Sequence, residues 1–329
     1  MELMDRLLRL KMVLLILNLF LLSSFLTSAF SKESLLIIRE EGENFNAAVK
    51  GMTDEINEDF TIHEMIAQEN LCVDHIDSKI KSVAPKMIVL MDNKIIDLYK
   101  QYQSQLKPTD PVVPSISLMG VFIGMLLDGM KNVAGLFYEV PIVTSVINIR
   151  AVFKSPFTTI AVIHRNFMST FIEENKKYCA NEKIELINFS IPDSDDIESN
   201  LKKHLKLISK NQKIDAIWVP NDSLLINAQL LKSVWLPFRK YFEKPIIVGV
   251  EVLVNPQFNF GTFAVVPDHI ELGAQAGRLI LDIMDNDWHA DRTGIVLPFS
   301  VKKILNYKQS KHLFELKDNF RYKVDKILE

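Results

Sequence analysis

Beyond residue 30 the chain is built from short apolar runs separated by amphipathic stretches. Residues 34–38, rich in Leu and Ile, and residues 86–91 have the length of buried strands, and residues 60–66 form another candidate strand. Between these runs Phe45, Val49, Met52 and Ile56 recur at helical spacing within residues 44–56. Val73, Ile76, Ile80 and Val83 do the same within residues 71–83. A helix over 95–106 and strands over 111–118 and 135–138 complete this first series. The pattern then restarts. Strands are predicted over 158–163, 184–189, 216–219 and 245–250, alternating with helices over 167–180, 196–208 and 224–234. A strand over 262–266, a helix over 270–285, a strand over 295–304 and a closing helix over 310–316 follow.

This alternation predicts βαβ units and parallel sheets, because each crossover helix covers a sheet face. The fold class is therefore α/β, with two Rossmann-like, doubly wound lobes. The seam falls near Val140-Pro141. Strands and helices that come after each lobe already has a sheet imply that the chain passes between the lobes more than once. The expected division assigns residues 30–139 and about 267–292 to the first lobe, and 140–266 and about 293–305 to the second. Residues 306–329 form a helical tail. Hinge candidates are Val140, Pro141, Val266 and Pro267, with a third passage near Thr293-Gly294. Proline restricts the backbone at the first two passages and glycine frees it at the third.

The first thirty residues follow another rule. Arg6, Arg9 and Lys11 precede an apolar run over residues 12–26, and Thr27-Ser28-Ala29 then supplies small residues before a cut after Ala29. That layout is a secretory signal, residues 1–29. A retained N-terminal membrane anchor is the other reading, although a span needs about 20 apolar residues. The expected location is the periplasm.

Composition narrows the function classes. The chain has 329 residues, 48% of them hydrophobic and 24% charged, with a formal net charge of -3. These values exclude a disordered chain, a collagen and a small disulfide scaffold. They also give no basic field for nucleic acid. Cys72 and Cys179 form no CxxC and are read as two free thiols. No GxGxxG, GxxxxGK[ST], GxSxG or HExxH is present. Cys72 and His75, with His63 and Asp74 nearby, are read as helix surface and core rather than as a metal site. Asp193, Asp195, Asp196 and Glu198 precede a helix, where acids favour the dipole. No cofactor is expected.

The strand-to-helix loops carry the remaining information, because open parallel sheets bind ligands outside the carboxyl ends of their strands. Those loops hold Arg39, Phe45, Asp92, Asn93, Ser115 and Ser117 in the first lobe. In the second they hold His164, Asn166, Phe167, Asn221, Asp222 and Glu251, together with Arg165 and Ser223. Such a mixture suits a small polar or amphipathic organic ligand in a cleft. Asn93, Asn166 and Asp222 have a second reading as helix caps.

Five segments in order resemble the substrate-binding proteins of ABC transporters, of the tryptophan- and tyrosine-binding type. They are residues 45–52 (Phe-Asn-Ala-Ala-Val-Lys-Gly-Met), 132–136 (Asn-Val-Ala-Gly-Leu) and 215–222 (Asp-Ala-Ile-Trp-Val-Pro-Asn-Asp). Residues 271–277 (Glu-Leu-Gly-Ala-Gln-Ala-Gly) and 304–311 (Ile-Leu-Asn-Tyr-Lys-Gln-Ser-Lys) complete the set. The resemblance implies a type I periplasmic-binding-protein fold and capture of a solute by hinge closure. It also implies a membrane permease as partner, with a separate ATPase. Three departures stand out. Met119-Gly120 replaces the family's Asp-Pro, Gly249-Val250-Glu251 its Ser-Asp-Glu, and Met91-Asp92-Asn93 its Gly-Thr-Pro. Val250 removes a partner for a ligand amine and leaves Glu251 as the nearest acid. The expected function is an extracytoplasmic solute-binding protein of an ABC importer. A periplasmic sensor signalling to a membrane protein is the alternative. An enzyme would need an acid/base pair or phosphate loop that the sequence does not display.

Overall fold

A computed structural model describes residues 32–193 and 196–329, so the expected signal segment lies outside the described residues. The apolar runs become strands buried on both faces. The first sheet is wholly parallel. It comprises β1 (Glu33–Arg39), β2 (Phe60–Ile66), β3 (Met87–Met91), β4 (Ser115–Leu118), β5 (Val133–Leu136) and β11 (Ile295–Val296), in the order β11-β5-β4-β3-β1-β2. Every residue of β3 and β4 is buried. Helices α1 (Glu43–Ile56) and α10 (His269–Asp285) cover one face. Helices α2 (Val73–Val83), α3 (Asn93–Gln105) and the short α4 (Ile123–Leu126) cover the other.

The second sheet contains β6 (Thr159–Arg165), β7 (Glu185–Ile191), β8 (Ala216–Val219), β9 (Ile246–Val248), β10 (Phe263–Pro267), β12 (Val301–Asn306) and β13 (Lys326–Leu328). Its order is β13-β12-β10-β9-β8-β6-β7, parallel except where β10 meets β12. Helices α5 (Ile142–Val152) and α6 (Ser169–Asn181) pack on one face. On the other lie α7 (Ile197–Lys210) and a continuous helical stretch. That stretch is α8 (Ala228–Leu230), a π-helical segment (Leu231–Trp235) and α9 (Leu236–Arg239). Helix α11 (Tyr307–Leu313) follows β12.

Several expectations are corrected. The seam at residue 140 is followed by α5, which the periodicity reading passed over because its residues are apolar on most sides and rich in β-branched types. The strand expected over 111–118 starts only at Ser115; Pro111 and Pro114 lack the N–H a ladder needs. The helix expected from residue 224 starts at Ala228, where Asn227 accepts the Leu230 N–H as its cap. The strand expected over 295–304 is two strands in different lobes. Ile295 pairs with Gly135 in the first sheet, while Leu305 pairs with Phe263 in the second. The third passage therefore falls at residues 297–300, and residues 293–296 stand with the first lobe. The tail is not only helical, because Ile304 pairs in parallel with Lys326.

One close approach holds α10 to a helix more than two hundred residues earlier. A Cβ on Gly273 would lie 1.8 Å from Ala48 O, and one on Gly51 would lie 1.9 Å from Ile270 O. The two helices meet backbone to backbone, which only glycine permits.

Candidate functional site

Three chain passages join the lobes, at residues 137–141, 267–268 and 297–300. They are bonded to one another or to the helices beside them. The Phe137 N–H donates to Val296 O at 2.9 Å and the Asp268 N–H to Ser300 O at 3.1 Å. Tyr138 Oη meets His269 Nε2 at 2.9 Å with the rings stacked. Burial pushes the Tyr138 hydroxyl up to about 12 and holds the His269 ring below its ordinary pKa. Both are neutral near pH 7. Gln275 on α10 clamps the third passage: its Nε2 donates to Leu297 O and its Oε1 accepts the Phe299 N–H. Among the hinge candidates, Val140 is buried and Pro141 caps α5. Val266 and Pro267 end β10 and pair with Lys302 and Val301, inside the second sheet. Gly294, at φ 69, sits before β11 inside the first lobe rather than at a passage.

Beside the first passage lies a cavity of about 320 Å³ walled by both lobes. Phe122, Gly124, Met125, Phe137 and Glu139 line one side, and Phe167, Thr170, Phe171 and Glu174 the other. Phe122 reaches across the cleft. Its ring makes edge contacts with Phe167 at 5.4 Å and Phe171 at 5.7 Å between centroids. The turn that delivers it is strained, with Met119 at φ 60 and Phe122 at φ 55. A bulky residue there costs of order 1–3 kcal/mol and needs external support. Two side chains supply that support. Asn93 accepts the Val121 N–H at 2.7 Å and donates to Val121 O at 3.1 Å. Glu139 Oε1 accepts the Phe122 N–H.

Glu139 is 5% exposed, and its second oxygen, Oε2, has no hydrogen-bond partner among the described residues. Burial among phenylalanines pushes its carboxyl up to about 7, against the opposing pull of the Phe122, Glu139 and Tyr138 N–H groups. A carboxyl poised at neutrality beside an apolar cavity, with one oxygen buried and unpartnered, is a group prepared to take a hydrogen-bond donor.

The residues singled out from the strand-end loops are mostly engaged within the protein. Arg39 Nε donates to Glu64 at 2.6 Å. Asp92 caps α3 by accepting the Lys94 N–H, and Asn93 is the brace just described. Phe45 is half-buried against the α1–α10 core. Ser115 and Ser117 are fully buried within the first lobe. His164 is buried, with Nδ1 at 2.9 Å from Arg165 O, and burial lowers its pKa. Asn166 accepts from Ser190 Oγ. Asn221 donates to Gly249 O at 3.3 Å. Glu251 pairs with Lys326 of β13 at 2.5 Å, which draws it toward the tail. Of the whole set, Phe167 alone lines the cavity.

Asp222 is 3% exposed and takes Arg165 in a two-pronged pair, Nε at 2.7 Å and Nη2 at 3.2 Å. Arg165 also lies 4.3 Å over the Phe167 ring. Asp222→Ala would leave this guanidinium only Asp193, 3.8 Å from Nη1, and loosen its hold over Phe167. The expected cost is about 2 kcal/mol of stability, read as a lower urea midpoint. An unchanged midpoint would mean that the pair holds nothing in place.

Glu139, Phe122, Phe137 and Phe171 escaped attention as ligand groups. A usable signal existed: the Phe137-Tyr138-Glu139 run places an acid just after a strand, behind two aromatic residues, at a lobe seam. Among the described residues no cluster of His, Cys, Asp or Glu is placed to hold a metal, and no helix is long and apolar enough to cross a membrane. Cys72 is exposed and Cys179 buried, both free.

No protein-family model and no curated protein matches the chain by sequence. Solved structures do match it. A ligand-free, open substrate-binding protein with adhesive properties from Clostridium difficile superposes with a TM-score of 0.64 at 15% identity, covering 90% of this chain and 99% of its own. An ABC domain in complex with L-Trp from Streptococcus pneumoniae gives 0.54 at 20% identity, covering 90% and 100%. An arabinose-binding protein from Geobacillus stearothermophilus gives 0.51 at 11% identity, covering 86% and 100%.

Proposed function

We propose that this chain, with its two-lobed type I periplasmic-binding-protein fold, is an extracytoplasmic solute-binding protein of an ABC-type importer, which captures a small organic ligand between its lobes and delivers it to a membrane permease driven by a separate ATPase. The observation that carries this reading is the cavity beside the first passage, walled by both lobes and lined by Glu139, whose second oxygen is buried without a partner. A cavity shared by two lobes changes volume as they rotate. A ligand inside it stabilises the closed arrangement by the difference in its affinity for closed and open forms. Lobe rotation would separate Phe122 from Phe167 and Phe171, and a ligand seated among those rings would lock them together. The protein binds without turnover, so its product is a shape that the permease recognises. Similar solved structures that bind L-Trp and arabinose support a solute as cargo.

A thermal-shift screen of amino acids, amines and sugars on the purified protein tests this reading. A ligand at 100 times its Kd adds about 2.7 kcal/mol, enough to raise Tm by several degrees. A screen without a concentration-dependent shift, or chemical conversion of a bound compound, would overturn it.

A further inference from the structure

We propose that the inter-lobe cavity selects an organic cation, a primary amine on an aromatic or apolar body that carries no carboxylate. This deepens the solute-binding reading and rests on it. Glu139 lines the cavity with Oε1 taken by the Phe122 N–H; its second oxygen, Oε2, is unpartnered but shut off from solvent, so a ligand meets it only as the lobes part. One desolvated carboxylate oxygen matches one ammonium N–H in a short, charge-assisted bond. Around it stand Phe122, Phe137, Phe167 and Phe171. Their rings present negative faces to a cation and apolar area to the body that carries it.

The charge count around the cavity excludes the amino-acid form of the same body. Among the described lining residues the charged groups are two acids, Glu139 and Glu174, and no base. The Arg165 guanidinium, which lies over the Phe167 ring, is held by Asp222. A ligand carboxylate would enter a site of its own sign with no counter-charge free to meet it. The volume of about 320 Å³ lies at the small end of ligand cavities, the size of one ring system with a short side chain.

Binding of a cation also draws Glu139 into its charged form. That carboxyl has a pKa of about 7 in the free protein. Of the groups around it, Glu174 is exposed to solvent, while the Tyr138–His269 pair stays neutral between pH 7 and 8. A neutral ligand that accepted a bond from protonated Glu139 would show the opposite pH dependence.

Calorimetry on the purified protein with tryptamine and tyramine against tryptophan and tyrosine tests the inference. Each amine should bind at least about tenfold tighter than its amino acid, since a desolvated unpaired charge costs 1.4 kcal/mol or more. Amine affinity should fall about tenfold between pH 8 and pH 6, with proton release on binding at pH 7. Glu139→Gln keeps the acceptor for Phe122 and should weaken the amines about tenfold or more without lowering Tm. Should that variant fail to fold, the pH profile of the unaltered protein decides. Amino acids binding as tightly as amines, affinity rising toward pH 6, or full amine affinity in Glu139→Gln would each overturn the cation assignment and leave solute binding standing. If amines, amino acids and sugars all fail to bind, solute capture itself falls and the assignment with it.

Discussion

Glu139→Gln is expected to stabilise the protein by about 3 kcal/mol at pH 8 and by less than about 1 kcal/mol at pH 5. The reason is the buried carboxyl at the first passage. Its ordinary pKa is 4.5 and burial raises it to about 7. Between those values the folded protein keeps a proton that the unfolded chain has already released. Stability from this group is therefore full below pH 4.5, declines as pH rises, and is wholly lost above about pH 7. Glutamine has the same shape, still accepts the Phe122 N–H and never ionises. Urea denaturation of both proteins at the two pH values is the measurement. A difference independent of pH would show that Glu139 is not buried against the Phe rings as described. The histidines pull the other way. Burial lowers His164, His204 and His269, so their contribution is present above about pH 6.5 and fades on acidification. They are common to both proteins and cancel in the comparison. A buried acid that lowers stability at working pH is the pattern of a group kept for binding rather than for folding.

Gly273→Ala is expected to cost at least about 3 kcal/mol, at or beyond the upper end of ordinary overpacking. On an isolated helix the same change would gain up to about 1 kcal/mol. The sign reverses here because the new Cβ would stand 1.8 Å from Ala48 O, a rigid backbone atom that cannot rotate aside. The helices α1 and α10 must separate, opening the layer that holds Val49, Met52, Leu272 and Ala276. Because α10 lies directly after the second passage, its displacement also moves Gln275 and the third passage that it clamps. Chemical denaturation reads the loss. A cost below about 1 kcal/mol would mean that the helices are not in backbone contact.

Much of the architecture was legible from local pattern. Runs such as Leu35–Ile38 and Met87–Met91 are apolar on both faces, which only a strand covered on both sides tolerates, and helices at the right spacing lay between them. Late returns of the chain to the first lobe were also legible, because strands kept arriving after both sheets were supplied. Where local pattern was uniform it misled. Helix α5 is apolar nearly all round, so it showed no stripe, and residues 295–304 read as one strand because each half is apolar by itself.

The binding groups were legible only as a type. Strand-end loops do border the cavity, but most of the polar residues singled out there are already spent. Asp222 is consumed by Arg165, 57 positions away, and Glu251 by Lys326, 75 positions away. Neither pairing leaves a local trace, since the partners sit on different elements. The sequence by itself determined two covered α/β layers and a cleft at their strand ends, because burial periodicity is a property of each segment alone. Only the tertiary structure decided that Glu139 keeps a buried, unpartnered oxygen while the carboxylates of Asp222 and Glu251 do not. Whether a polar atom is satisfied depends on which distant groups the fold brings within hydrogen-bond reach.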